Sequence, residues 1–334
     1  MKSPIRLALV GATGAVGAEV LQVLQRRHFP LKELRCFASS SSKSKTISFN
    51  GQELPLYQLD ERSFNGIDIA IFCANTEISK QFAKIACAAG AVVIDKSSAF
   101  RLDPDVPLVI PEVNGDKIAT HKGIIASPNC TAILMLLAIA PLHREFGIER
   151  VVVSTYQAVS GGGKKMLEQL LEQTKAFLHS NTPSDSDLPL AFNVFLHESP
   201  MQKNRYVDEE MKLLEESRKI LEDPTLKLTA TCVRVPVLRA HAESINIQCK
   251  KPIDREKALA VLKKAPGLTI LENWEEGRFP MPKDATGQDQ VFCGRIRDDH
   301  SQENTIELWV VGDQLLKGAA LNAVQIVENL LSNN

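Results

Sequence analysis

The chain has 334 residues, enough for two domains and a sizeable core. Apolar residues make up 44% and charged residues 24%, and the formal net charge of −1 leaves no broad basic field to attract nucleic acid. The longest uncharged apolar run, Thr131 to Leu142, falls short of the ~18 residues that span a bilayer, so it reads as a buried helix and no membrane contact is expected.

Ile5 to Val10 is a short apolar run, read as a buried strand entered directly and without a signal peptide. Gly11, Ala12, Thr13, Gly14, Ala15, Val16 and Gly17 follow, and then an amphipathic segment from Glu19 to Arg26. This is the strand–turn–helix in which a dinucleotide pyrophosphate rests on backbone N–H groups at a helix N-terminus. The spacing G-x-x-G-x-x-G predicts a variant of the Rossmann site. Leu34 to Ala38 reads as a second strand. An NAD site usually places an acid there for the ribose 2′-hydroxyl. Here Ser39, Ser40, Ser41, Ser42, Lys43, Ser44 and Lys45 stand instead, hydroxyls and cations that suit a 2′-phosphate, so NADP is the expected cofactor.

Further βα units follow. They are a strand at Ile67 to Cys73 with a helix around Lys80 to Ala88, a strand at Val92 to Asp95, and a strand at Ile124 to Ala126. Their alternation predicts a doubly wound, mostly parallel sheet, with ligands beyond the carboxyl ends of the strands. The segments 11–17, 73–76, 96–101 and 128–130 all follow such strands and are expected to converge. Lys96 and Arg101 bring positive charge there, as a phosphate group needs. Ser127-Pro128-Asn129-Cys130-Thr131 places Cys130 at the head of the long apolar helix, where the helix dipole and free N–H groups favour a thiolate and can stabilise an oxyanion. A thiolate beside a nicotinamide points to one chemistry, in which a thiohemiacetal is oxidised to a thioester and then discharged to phosphate or water. The reverse reduces an acyl phosphate to an aldehyde.

The second half reads differently. Val151 to Gln157 forms a strand, Gly161 to Gly163 open a helix from Lys164 to His179, and Asn181 to Pro189 reads as a loop. Asp208 to Leu221 is a charged amphipathic helix on which Glu216 and Lys219 share a face. Strand-like runs at Leu228–Val235, Glu243–Cys249, Val291–Ile296 and Thr305–Val311 predict a second, mixed or antiparallel sheet. A last helix, Lys317 to Leu330, is expected to return to the first domain. Residues 1–130, completed by 315–334, are thus expected to bind the nucleotide, and 131–314 to carry catalysis. Arg234 is a candidate carboxylate clamp, and His241, at a strand connection near it, a candidate proton carrier. The seven cysteines are odd in number and lack any C-x-x-C pair, which predicts neither a disulfide framework nor a metal site and favours a reducing compartment.

Taken together these segments resemble the aspartate-semialdehyde dehydrogenase family over nearly the whole chain. The resemblance is carried by the 11–17 turn, Lys96 to Arg101, Ile110 to Asn114, Pro128 to Thr131, Ser160-Gly161, Cys232 to Val237, His241 and Lys317 to Ile326. It implies a Rossmann-type domain plus an α+β catalytic and dimerisation domain. It also implies NADPH-dependent reduction of L-aspartyl 4-phosphate by a cytoplasmic homodimer, in lysine, threonine and methionine synthesis. In that case Cys130 is the nucleophile, His241 the acid–base group, and Gln157 orients the acyl group. Arg234 holds the substrate carboxylate and Glu216 its amino group. Arg101, Asn129 and Lys219 bind phosphate, and Ser160, Gly161 and Gln314 lie near the nicotinamide. Cys73-Ala74-Asn75-Thr76 lacks an expected Gly pair, Ala240 replaces a more polar small residue, Gly162 replaces Ala, and 193–207 is atypical. The rivals are N-acetyl-glutamyl-phosphate reductase, disfavoured by Asn129 and Glu216, and a non-catalytic NADP-binding redox sensor, disfavoured by the retained reactive groups.

Overall fold

The computed structural model describes residues 4–39, 42, 45–180 and 188–332. The chain divides into two compact units, 1–129 with 319–334, and 130–318. Relative to the sequence expectation, Cys130 opens the second unit instead of closing the first, because the long helix begins on it, and the C-terminal return starts at 319, not 315.

The first unit contains β1 (Ile5–Val10), α1 (Ala15–Arg26), β2 (Leu31–Phe37), β3 (Thr46–Phe49), β4 (Gln52–Tyr57), β5 (Ile69–Phe72), α2 (Thr76–Ala88), β6 (Val92–Asp95), a short α3 (Pro111–Asn114) and β7 (Ile124–Ala126). Its sheet runs β3-β4-β2-β1-β5-β6-β7. All pairs are parallel except the β3–β4 hairpin at the edge. β1 and β5 are nearly continuous apolar runs because helices cover both faces of such a sheet. The C-terminal helix Leu321–Leu330 belongs to this unit, where Asn322 Nδ2 donates to the Val109 carbonyl at 3.1 Å and to Ser127 Oγ at 2.9 Å.

The second unit contains α4 (Cys130–Phe146), β8 (Ile148–Ala158), α5 (Lys164–Ser180), β9 (Phe195–Leu196), α6 (Asp208–Ile220), β10 (Lys227–Val235), β11 (His241–Cys249), α7 (Arg255–Leu262), β12 (Leu268–Ile270), α8 (Pro282–Ala285), β13 (Val291–Asp298) and β14 (Thr305–Gly312). Its sheet, β12-β13-β14-β11-β8-β10-β9, is mixed, with β8–β10 and β12–β13 parallel and the rest antiparallel. α4 is apolar all round and buried along Thr131–Ala140, as a helix in the core of a layered domain must be. The end of β14 packs directly on it, and a Cβ at Gly312 would lie 2.5 Å from Leu134 Cδ2.

Some local features go beyond the sequence expectation. The expected last helix opens with a π-helical turn at residues 316–320, which runs directly into the α-helix Leu321–Leu330. The β3–β4 hairpin and α7 were not anticipated, since their polar, half-exposed sequences carry little periodic signal. The expected Asn181–Pro189 loop falls mostly on 181–187, outside the described residues.

Candidate active site

In the first unit, Gly11 has φ +82°, and a Cβ there would sit 2.5 Å from the Cys73 carbonyl oxygen. A Cβ on Gly17 would lie 2.2 Å from the Gly11 carbonyl oxygen, so only glycine lets α1 press against the turn. Gly14 caps α1 in an extended conformation, and Thr13 and Gly14 are exposed, with Ala15 and Val16 half-buried. The first amides of α1 have no intrahelical acceptor, which makes this end an anion seat. A cavity of about 310 Å³ adjoins the turn, lined among others by Gly11, Ala38, Ser39, Gln58, Ala74 and Phe82. A second of about 300 Å³ shares Phe37 and Gln58 and adds Arg35, which is paired with Glu33, together with Arg62 and Asp60. No acid stands at Ala38 or Ser39, as expected. Ser40 and Ser41, also expected to meet the nucleotide, lie outside the described residues, as do Lys43 and Ser44. A glycine cradle, a cavity and neighbouring cations fit a phosphorylated dinucleotide.

The other loops of this unit draw together at the same strand ends. In the Cys73–Thr76 segment, which lacks the expected Gly pair, Asn75 caps α2 by accepting from the Ile78 amide at 3.0 Å. Thr76 Oγ1 lies 3.1 Å from Ser98 Oγ. Arg101, 8% exposed, donates through Nε to the Ser127 carbonyl at 3.0 Å and through Nη2 to the Lys96 carbonyl at 2.8 Å. Lys96 Nζ donates to Ser127 Oγ at 3.0 Å. The two cations therefore brace the 127–128 turn, and buried Asn129 continues it toward Cys130.

In the second unit, Cys130 is the first residue of α4 and half-buried. A Cβ on Gly318 would approach the Cys130 Cβ to 3.0 Å and the Gln314 Cβ to 3.4 Å. The π turn makes this fit, since the Gly318 amide reaches back five residues to the Asp313 carbonyl at 3.1 Å. Gln314 Nε2 donates to Ser160 Oγ at 2.6 Å, and Gln314 Oε1 accepts from the Ala240 amide at 2.8 Å. Ala240 has φ +72°, a left-handed residue that swings the chain into His241. Residues far apart in sequence thus form one chain of contacts, Cys130–Gly318–Gln314–Ser160 and Ala240–His241.

His241 is fully buried. Its Nδ1 accepts from the Ala158 amide at 2.9 Å, and its Nε2 has no hydrogen-bond partner among the described residues. Burial, and then the charge of Arg234, push its pKa down to about 3, so the ring is neutral and its proton sits on Nε2. A Cβ on Gly161 would lie 3.2 Å from His241 Nε2 and 3.3 Å from Arg234 Nη1, so Gly161 fronts both side chains. Gly162, where alanine was expected, lies under Met166, whose Sδ would be 2.5 Å from an added Cβ. Buried Gln157 accepts from Thr155 Oγ1 at 2.9 Å and donates to Glu209 Oε1 at 3.2 Å. Glu216 is buried and Lys219 half-buried on α6.

Glu209, Glu198, His197 and Glu243 escaped the sequence reading. Arg234, 2% exposed, is gripped by Glu198, with Nε to Oε2 at 3.2 Å and Nη2 to Oε1 at 2.6 Å. His197 Nε2 lies 2.9 Å from the same Nη2. Both come from the stretch flagged only as atypical. Glu243, fully buried two residues after His241, has no partner for either carboxyl oxygen among the described residues, and burial raises its pKa well above the ordinary value. Such a residue is indistinguishable in sequence from a surface glutamate.

No helix among the described residues is long and apolar enough to cross a membrane. Residues 6–121 match the semialdehyde dehydrogenase NAD binding domain, and residues 139–317 the semialdehyde dehydrogenase dimerisation domain. The aspartate-semialdehyde dehydrogenase of Synechocystis sp. is 50% identical over 333 residues, 99% of this chain and 98% of that protein. Crystal structures of aspartate semialdehyde dehydrogenase II from Vibrio cholerae, one of them complexed with ASA, superpose with TM-scores of 0.95 and 0.94 at 42% identity, covering 99% of both chains. The chain belongs to the aspartate-semialdehyde dehydrogenase family.

Proposed function

We propose that this protein catalyses the reversible reduction of L-aspartyl 4-phosphate to L-aspartate 4-semialdehyde and phosphate, with NADPH. The observation that carries the reading is the run of contacts in one unit from Cys130 at the start of α4 through Gly318 and Gln314 to Ser160 and Ala240–His241, with Gly161 beside both His241 and Arg234. The Cys130 thiolate attacks the acyl carbon and the bond to phosphate breaks, leaving a thioester. The 11–17 turn and Ser39 would hold NADPH, which would supply the hydride. Collapse of the resulting thiohemiacetal oxyanion breaks the C–S bond, frees the aldehyde and regenerates the thiolate. The first amides of α4 and the Nε2–H of His241 are donors for the oxyanion of each tetrahedral stage. Gln157 orients the acyl oxygen, Arg234 takes the α-carboxylate, Glu216 the ammonium, and Arg101, Asn129 and Lys219 the phosphate.

The protein acts as a homodimer through the 139–317 domain, as that domain's description supports. It works in the cytoplasm, in the route from aspartate to lysine, threonine and methionine. An odd number of cysteines, seven, with no C-x-x-C pair suits a reducing compartment. The test is phosphate-dependent NADP⁺ reduction with L-aspartate semialdehyde, run beside N-acetyl-glutamate semialdehyde. Activity with the free amino acid alone supports the reading, and activity with the acetylated compound alone overturns it.

A further inference from the structure

Arg234 has five N–H donors; the chain itself engages three of them, and a fourth faces His197. Nη1 donates to the Ala158 carbonyl at 3.0 Å, Nε and Nη2 form a two-point fork on Glu198, and the second Nη2 proton faces His197 Nε2. A substrate carboxylate that uses the side-on fork of Arg234 needs the same two N–H groups that Glu198 holds. Two carboxylates cannot share them.

The Glu198 side chain can leave without moving the backbone. Its segment is pinned on one side by the His197 amide, which donates to the Cys232 carbonyl at 2.9 Å. On the other side the Asp208 amide donates to the Pro200 carbonyl at 2.9 Å. Between the pins the Glu198 side chain is 30% exposed, so rotation about its own bonds carries the carboxylate to water. His197 holds the arrangement poorly. Its Nδ1 lies 3.2 Å from the Ser199 amide and its Nε2 faces Arg234. A neutral imidazole has one proton, so it cannot accept both bonds.

We propose that Glu198 is an internal competitor for the substrate's α-carboxylate, which occupies the Arg234 fork and must swing away before substrate seats. This inference rests on the aspartyl reading of the site. It makes Glu198 a determinant of apparent affinity, because only the fraction of molecules with the fork open can bind. It also keeps Arg234 from standing as an unpaired buried charge, which is costly.

The test compares Glu198→Gln and Glu198→Asp with the wild type, by KM for L-aspartate semialdehyde and by the thermal shift that L-aspartate produces. In E198Q the neutral amide grips the guanidinium less tightly, so KM falls by about threefold to tenfold, the gain appears in kcat/KM, and the L-aspartate shift grows. E198D, with a stem one methylene shorter, moves KM the same way by less, and decides the matter if E198Q does not fold. A raised KM, or an unchanged KM with a lowered Tm, overturns the proposal, the first making Glu198 a substrate holder and the second a structural brace. Failure of the wild type to turn over L-aspartate semialdehyde would instead remove the aspartyl reading itself.

Discussion

The Ala158 amide donates to Nδ1 of His241 at 2.9 Å, and this one bond selects the tautomer of the ring. With Nδ1 accepting, the proton stays on Nε2, which a Cβ on Gly161 would approach to 3.2 Å. The ring is thereby set to donate. To accept a proton at Nε2 it would have to place a second N–H against the Ala158 N–H. Replacing His241 by Asn should therefore lower kcat by about 10²–10⁴-fold while leaving Cys130 open to alkylation. Loss of alkylation together with activity would make His241 the base that ionises the thiol.

The depressed pKa of His241 has a consequence for stability. Its unfolded value is near 6.5 and its folded value about 3, so between these the unfolded chain binds the extra proton. The contribution of His241 is present above pH 6.5 and declines as the pH falls toward 3. Tm measured across that window should drop more steeply for the wild type than for H241N, once their different baselines at pH 8 are subtracted. Equal slopes would mean that the ring is not held neutral.

Gly161 should be intolerant of the smallest substitution. Gly161→Ala would place a methyl 3.2 Å from His241 Nε2 and 3.3 Å from Arg234 Nη1, which requires both to give way by tenths of an ångström. A displacement of that kind at a positioned donor should cost at least tenfold in kcat/KM, with a small change in Tm because the site is polar and local. A variant with wild-type kinetics would show that the imidazole and guanidinium have slack. Gly162→Ala next to it meets only the flexible Met166 thioether, and should lose far less.

The turn after β1 and the site around Cys130 differ in how much of them was legible. Gly11 and Gly17 announced themselves because a tight turn with backbone contact leaves no other residue possible, and Cys130 because a proline and a long apolar run marked a helix start. The partners of Arg234 did not. Glu198 reaches it through a two-residue edge strand, Phe195–Leu196, whose pairing with β10 depends on register and not on any local pattern. Glu243 and Asp313 are likewise buried by where β11 and β14 lie in the sheet. The parallel β8–β10 pair was unreadable for the same reason, since strand neighbours are chosen by the whole domain.

The cofactor turn offers a test independent of catalysis. Gly11→Ala combines a left-handed φ with a 2.5 Å approach to the Cys73 carbonyl, a strain of about 1–3 kcal/mol before any clash is counted. NADP affinity and Tm should both fall, whereas removal of the Cys130 sulfur should leave NADP affinity nearly unchanged. Arg234→Lys should act elsewhere again, raising KM for L-aspartate semialdehyde about tenfold or more because an ammonium cannot form the two-point fork.

The proposed reaction runs through a covalent bond between Cys130 and the substrate's acyl carbon. Intact-mass and peptide analysis of the enzyme mixed with L-aspartate semialdehyde and NADP⁺, with phosphate left out and the reaction quenched in acid, reads it directly. One aspartyl group should appear per chain, on the peptide carrying Cys130, and vanish when phosphate is added before the quench. NADP⁺ reduction in a full first turnover with no such adduct, or an adduct on any other residue, would contradict the account.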